Sequence, residues 1–379
     1  MNDIIAIVVV NYNGYNMLGN LFLRCLDSIV EATLNCPYAK FKLFFVDNGS
    51  TDKSASIAKQ KNFIVIQLKT NLGYAGATYI ATKYIVKKFG VPKFLICLNN
   101  DIIIEKDAFC KIIKTIFKLK EQFKSFLATP LLINGYTNRL DHGGHFVDPS
   151  GTAWSLSLVL NFNLLSQLNK PIFLSYCDGA FWIMDNVALV KVGVFDHRFF
   201  MYYEDVEVSL RAWSKGIPSI LLPIIAGTHY RSATSSFHRE VLYYILRNKI
   251  ITLKNYFGIK GILMALLYYG FYGFRLLDAN IVQNYSYFTK QIFRNNIKDL
   301  YKNSRFIIRA LIDGFTLRKS IILSLASSYS FPYLQISPKD FCSTKRLIGR
   351  IINELKKAIF KSLYYNKLYE SDFHKCKYE

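Results

Sequence analysis

The sequence opens on the feature that most constrains its fold: seven consecutive apolar residues, Ile4 to Val10, mostly β-branched, followed at once by the polar turn Asn11-Tyr12-Asn13-Gly14. A run of this length without polar alternation is a strand covered on both faces, the situation of a parallel sheet. Leu18, Leu21, Phe22, Cys25, Leu26 and Ile29 then recur at helical spacing, so a helix follows and packs one face on that sheet. The alternation returns with a strand Leu43 to Val46, a helix after Asp52, a strand Phe63 to Leu68, a helix from about Tyr74 and a strand Phe94 to Leu98. This is a doubly wound α/β pattern.

Ligands of such sheets sit beyond the carboxyl ends of the strands. There this sequence places its polar clusters: Asn11 to Gly14, Asp47 to Asp52, Asn71 to Gly76 and Asn99 to Asp101. Any one of them suits an ordinary turn; four together predict a shared crevice. The single Gly14 after the first strand is not the glycine-rich loop that a dinucleotide or a Walker site needs to bring backbone against phosphate. A divalent metal is the alternative way to neutralise a pyrophosphate.

With 379 residues, about half of them apolar, the chain can bury one large core plus an accessory region. Seven scattered cysteines, with no paired spacing, argue against a disulfide framework or a zinc ribbon and fit a reducing compartment. Acidic Asp3 and the lack of a basic leader before Ile4 argue against a cleaved signal peptide, so a cytoplasmic catalytic part is expected. The net charge is +22; from Arg231 onward 25 basic and 9 acidic residues leave +16, and the preceding residues carry +6. That asymmetry suits an anionic surface, although a lysine-rich composition alone produces it.

Five strings carry a family resemblance: Val9-Val10-Asn11-Tyr12-Asn13, Val46-Asp47-Asn48-Gly49-Ser50-Thr51-Asp52, Asn71-Leu72-Gly73-Tyr74-Ala75-Gly76, Leu98-Asn99-Asn100-Asp101, and the block from Gly193 to Arg211 with Glu204-Asp205. In order and spacing the chain resembles bacterial family 2 glycosyltransferases of the GT-A fold, particularly rhamnosyltransferase-like members, over about its first 235 residues. The resemblance implies a doubly wound mixed sheet flanked by helices, with residues 1–235 as the nucleotide-sugar-binding catalytic domain and 236–379 as a mostly helical, basic region. It implies an inverting transfer of a sugar from a dTDP- or UDP-linked donor to a glycan or lipid-linked glycan precursor.

The same resemblance distributes roles. Asp47 would accept the imide N–H of uracil or thymine, which cytosine does not offer, and Asn11, Asn13, Asn71, Gly73, Asn99 and Asn100 would line the nucleotide. Asp101 closes a variant of the family's D-x-D motif in which Asn99 replaces the first carboxylate, and with His229 it would hold Mg²⁺ or Mn²⁺. By itself, a lone histidine in a loop is more often surface than ligand. Asp205 would be the general base and Glu204 its neighbour orienting acceptor or base; without the family, both suit the start of a helix whose dipole favours acids. Asp178, Gly179 and Trp182 would meet the acceptor, Trp182 through its flat face, while the same ring equally suits a core. Asp185-Asn186 stand where relatives often carry a basic residue, and His197 where they often carry an acid.

The later segments leave alternatives open. Arg247 suits a phosphate contact or a solvated helical face. The apolar run Gly261 to Phe274 is short for a membrane span and suits an interfacial or buried helix. Leu347, Ile348, Ile351, Ile352, Leu355, Ile359 and Leu363 form one stripe beside Lys345, Arg346, Arg350, Lys356, Lys357 and Lys361. Such a helix either rests on an anionic membrane or packs on the catalytic domain. Two rival functions follow from composition: a nucleic-acid binder, against which the aromatics lie in apolar runs such as Phe44-Phe45 and Tyr268-Tyr269, and a degenerate scaffold, suggested by Asn99.

Overall fold

The computed structural model describes residues 3–142, 144–160, 164, 172–231, 238–272, 309–316, 335, 349–357 and 359. The first half follows the predicted alternation: β1 (Ile4–Asn11), α1 (Gly14–Leu18), α2 (Asn20–Leu34), β2 (Lys40–Asp47), α3 (Ser54–Gln60), β3 (Ile64–Gln67), α4 (Gly73–Phe89), β4 (Phe94–Asn99), β5 (Ile102–Ile104), α5 (Ala108–Gln122) and β6 (Leu127–Asn134). After short strands β7 (Leu140–His142), β8 (His145–Val147), β9 (Ala153–Ser155) and β10 (Ile172–Leu174) come β11 (Phe181–Asp185), α6 (Asn186–Val192), α7 (Glu204–Trp213) and β12 (Ser219–His229). Two long helices close the described chain on this side, α8 (His238–Thr252) and α9 (Gly258–Tyr272).

The main sheet runs in the order β10-β12-β6-β11-β4-β1-β2-β3, with β5 added to β12 and β7 to β6; β8 and β9 pair separately. β3, β2, β1 and β4 are parallel, and β6 pairs parallel with β12, but β11 runs antiparallel between β4 and β6. The sheet is thus mixed, and the antiparallel insertion brings the loop before β11 to the carboxyl end of β4.

Alternate residues of β1 serve opposite cores, which is why the strand reads as unbroken apolar. Ile5, Ile7 and Val9 pack with Phe22, Leu26 and Ile29 of α2 and with Ile112 and Ile116 of α5. Ala6, Val8 and Val10 join Ala81 and Ile85 of α4 on the other face, together with Trp182 and Phe195.

Near the end of the chain, the helical residues 349–357 turn Ile351 and Leu355, with Ile359 beyond them, into a third core built with Leu131, Phe146 and Trp154. These members of the apolar stripe therefore pack against β6, β8 and β9, while Lys356 and Lys357 stay exposed. Leu347, Ile348, Leu363, Lys345, Arg346 and Lys361 lie outside the described residues. The apolar run near Gly261 forms α9 with Ile259 and Leu263 exposed. Among the described residues no helix is long and apolar enough to cross a membrane.

If Leu355 anchors the terminal segment, Leu355→Ala should lower stability by about 2–5 kcal/mol. Urea unfolding would read this as a lower midpoint, and an unchanged midpoint would remove the anchor.

Candidate active site

The first polar cluster is assembled by strand register. Parallel pairing sets Asn11 opposite Asp47 and Val10 opposite Asn99, so the three strand ends meet. Asn11 Oδ1 accepts Asn100 Nδ2 at 2.7 Å and its Nδ2 donates to Ser50 Oγ at 3.3 Å. A Cβ at Gly14 would fall 2.0 Å from Asn11 Oδ1, so this pair needs glycine behind it. Asn13, left-handed with φ 50°, donates its N–H to Ser50 Oγ (2.9 Å) and accepts Thr51 N at Oδ1 (2.8 Å). The second strand's polar end is thereby laced to the first strand's turn.

Asp47 is buried and spends Oδ1 on Ser50 N (3.0 Å); its Oδ2 takes no hydrogen bond among the described residues. Asn48 ties in the third cluster, accepting Leu72 N (2.9 Å) and donating to Asn71 Oδ1 (2.9 Å) and Gly73 O (3.2 Å). Asn71 Oδ1 also accepts Gly73 N at 2.8 Å. Gly73 has φ +71° and lies so close to the chain that a Cβ would sit 2.2 Å from Phe200 O. That contact, with Ala75 N donating to Phe200 O at 3.0 Å, seats the loop before α7 on the start of α4.

A second meeting point lies at Asp101. Antiparallel pairing of β5 with β12 sets Ile102 opposite His229, and Tyr230 N donates to Asp101 O at 2.9 Å. His229 Nε2 stands 3.1 Å from Asp101 Oδ1, and its Nδ1 lies 2.7 Å from Asp141 Oδ2, which also accepts Arg231 Nε at 2.7 Å. The Nε2 contact has the distance of an ion pair but not the direction of a hydrogen bond, so Asp101 Oδ1 is buried with no hydrogen-bond partner. Burial opposes charge on His229, but Asp101 and Asp141 outweigh it and raise the imidazole to about 9.

This arrangement fits a divalent cation. It offers an orphaned carboxylate oxygen and, once a cation takes the place of the proton that the two carboxylates favour, a ring nitrogen beside it, with a carboxylate behind the histidine to fix its orientation. No cage of three or more His, Cys, Asp or Glu side chains occurs among the described residues. Two protein ligands suit an ion completed by water and substrate phosphates. Asn99, half-buried at the end of β4, makes no side-chain hydrogen bond among the described residues.

The third group surrounds Asp205. Three left-handed residues, Phe200, Tyr202 and Tyr203, turn the chain sharply into α7, so Glu204 and Asp205 form its first two residues. Non-glycine residues hold such angles only when their surroundings enforce them. Here Asn248 Nδ2 donates to the carbonyls of Phe199 (2.9 Å), Met201 (2.9 Å) and Tyr202 (2.7 Å), and Arg247 Nη2 to those of Arg198 (2.7 Å) and Phe199 (2.9 Å).

Asp205 is half-buried and held by two backbone donors: Gly179 N to Oδ2 at 3.0 Å and Val206 N to Oδ1 at 2.8 Å. Gly179 O in turn accepts the Tyr74 hydroxyl at 2.7 Å, and Ala180 O accepts Asn99 N at 3.0 Å. Asp178 accepts Ala180 N at 2.8 Å and pairs with His145 Nε2 at 2.9 Å. Burial, then the charge of Asp178, pushes Asp205 up to about 6 against the pull of its backbone donors. Glu204 is buried with Oε2 unpartnered; burial and the charge of Asp205 push it well above the usual carboxylate range. Two adjacent carboxyls thus differ in character: Glu204 favours the neutral acid and Asp205 titrates near neutrality.

Several sequence expectations need correction. Trp182 is fully buried on β11, its ring 4.7 Å from Phe195, and has no face for a sugar. Arg247 meets neither alternative: its guanidinium is spent on loop carbonyls and lies over Tyr243 and Tyr244. Asp185 is fully buried and caps α6 through Val187 N and Ala188 N, and the His197 ring packs at a tilt on that of Tyr79, centroids 5.0 Å apart. Asn248, Asp141 and His145 escaped the sequence reading. Asp141 and His145 stand in the acid- and histidine-rich stretch Leu140-Asp141-His142-Gly143-Gly144-His145, but nothing local links that stretch to residues 88 or 33 positions further on.

Comparison with known proteins agrees with this architecture. A model of "Glycosyl transferase family 2" matches residues 6–190. The low-salt glycan biosynthesis hexosyltransferase Agl10 of Haloferax volcanii is 22% identical over 218 residues, 57% of this chain and 64% of that protein. Rhamnosyltransferase WbbL of Escherichia coli K12 is 24% identical over 252 residues, 60% of this chain and 91% of that protein. The chain therefore spans a little under two thirds of the archaeal relative's length. Among solved structures, GalNAc-T7 crystallised with UDP, GalNAc and Mn²⁺ matches 71% of this chain and 51% of its own with a TM-score of 0.52 at 14% identity, a likeness of fold. Residues 6–190 thus match the model of glycosyl transferase family 2, and the mixed sheet with the antiparallel β11 is that of the GT-A fold.

Proposed function

We propose that this chain is an inverting glycosyltransferase that moves a sugar, rhamnose by preference, from a dTDP- or UDP-linked donor to a glycan or lipid-linked glycan precursor of the cell surface. One observation carries the proposal: Ala180 O accepts Asn99 N while Gly179 N holds Asp205, so the end of the donor-side strand β4 and a carboxylate titrating near neutrality are joined through two consecutive residues. Reacting centre and base belong within such a span.

The steps follow from the residues. Asp47 Oδ2 is the acceptor for the imide N–H of uracil or thymine, and Asn11, Asn13, Asn71, Gly73, Asn99 and Asn100 line the rest of the nucleotide. Asp101 and His229 are the residues that would hold Mg²⁺ or Mn²⁺. When bound, the cation supplies positive charge that makes the nucleoside diphosphate a better leaving group. Asp178 and Gly179 face the acceptor. The acceptor hydroxyl oxygen bonds to the anomeric carbon, the bond from that carbon to the diphosphate oxygen breaks with its electron pair, and the hydroxyl proton passes to Asp205. Glu204, favouring its neutral form, offers an O–H rather than a second negative charge. A single displacement with one base inverts the anomeric centre.

The rhamnose preference draws support from the name of the E. coli relative. The catalytic unit is proposed as residues 1–235 and the basic helical region as 236–379. The +16 carried from Arg231 onward, with exposed Ile259 and Leu263 on α9, suits peripheral attachment at an anionic, cytoplasmic membrane face rather than nucleic acid.

Nucleoside diphosphate release from a panel of UDP- and dTDP-sugars, with Mn²⁺, Mg²⁺ or chelator, tests this. One donor should be turned over, release should be lost with chelator and in Asp101→Ala, and Asp205→Asn should slow transfer by about 10²–10⁴-fold. A chain that binds no nucleotide under any condition would be the scaffold instead. The base also sets a pH limb. Asp205 works ionised and its carboxyl titrates at about 6, so kcat/KM should fall as pH drops below that value. A flat acid side down to pH about 4 would remove Asp205 from the role.

A further inference from the structure

We propose that His145 is a positioning residue for the general base: paired with Asp178 across 2.9 Å, it fixes that carboxylate and, through it, the electrostatic surroundings in which Asp205 takes a proton. The proposal rests on Asp205 being the base.

His145 lies outside the donor crevice, on the small hairpin of β8 and β9. It is nevertheless built into the loop that carries Asp178. Its backbone carbonyl accepts Ser175 N at 3.0 Å, it bridges to Tyr176, and its ring stacks on that of Tyr176 at 4.8 Å and 12°. The imidazole is buried, with Nε2 2.9 Å from Asp178 Oδ2. Asp178 is thus pinned on both oxygens, Oδ1 by Ala180 N and Oδ2 by His145, and the intervening Gly179 N–H is the donor that holds Asp205.

Charge gives the same assignment. Asp205 is surrounded by Glu204 on its own helix, Asp178, Tyr176 and Cys177 from the segment before β11, Tyr74 from α4 and His145 from β8. Of these groups, two are carboxyls, Glu204 and Asp178, and His145 is the one that can carry positive charge. The charge of Asp178 makes Asp205 harder to ionise, and His145 works in the opposite sense. Removing the imidazole should therefore raise the Asp205 midpoint, and removing the Asp178 charge should lower it. A histidine that merely staples the hairpin would leave the Asp205 midpoint unmoved when the imidazole is removed.

The test is a carboxyl ¹³C NMR titration of Asp205 in the full chain, its signal assigned by its loss in Asp205→Asn, alongside kcat/KM profiles. His145→Gln should raise the midpoint by about 1 unit and Asp178→Asn should lower it by a similar amount. The acid limb of kcat/KM should move in the same two senses. In Asp178→Asn, adding His145→Gln should shift the midpoint much less than it does alone. An unmoved midpoint in folded His145→Gln overturns the proposal. Should that variant not fold, an unmoved midpoint in Asp178→Asn overturns it equally. Wild-type turnover in Asp205→Asn would instead overturn the base assignment itself, and His145's positioning role with it.

Discussion

The site depends on the register in which β1 pairs with both of its parallel neighbours. A parallel ladder aligns strand ends, and this one sets Asn11 against Asp47 and Val10 against Asn99. A shift of one residue would send Asn11 to the opposite face and separate it from Asn100 and Ser50. Two apolar cores, each taking alternate residues of β1, make such a slip costly. The polar clusters then need little further ordering: Ser50, Asn48 and Asn71 lace them together by short hydrogen bonds.

The start of α7 is held differently. Glu204 and Asp205 open a helix after three left-handed residues that a free chain would not adopt, and Asn248 of α8 holds the carbonyls around them. The cost of that turn is offset by hydrogen bonds from a helix distant in sequence, so α8 supports the position of Asp205. The same turn buries Glu204 at a helix start and leaves Asp205 with an exposed edge. One acid is thereby kept away from water while its neighbour can meet a hydroxyl.

The parallel half of the fold was legible because its signals are local. An apolar run, a polar turn and a helical period lie within about thirty residues of one another, and each repeats. What was not legible depends on pairing across long gaps. Trp182 looks like a sugar platform beside Asp178, yet β11 inserts antiparallel beside β4 and turns the indole into the core. Arg247 looks like a phosphate ligand until the loop at Phe199 folds beneath it. Asp101 and His229 were associated through family resemblance alone; what brings them together physically is the short β5–β12 pairing, for which three residues leave little sequence signal. The terminal apolar stripe fits membrane and core equally on periodicity, and only the third core, under Phe146 and Trp154, decides for packing.

The central claim is that a uridine or thymidine diphosphate binds across the ends of β1, β2 and β4. A crystal structure with either nucleotide and Mn²⁺, using the anomalous signal of the metal, tests it most directly. The account predicts the base against Asp47, the metal between Asp101 and His229, and the diphosphate between them and Asp205. A nucleotide bound elsewhere, or a metal away from Asp101, would contradict it.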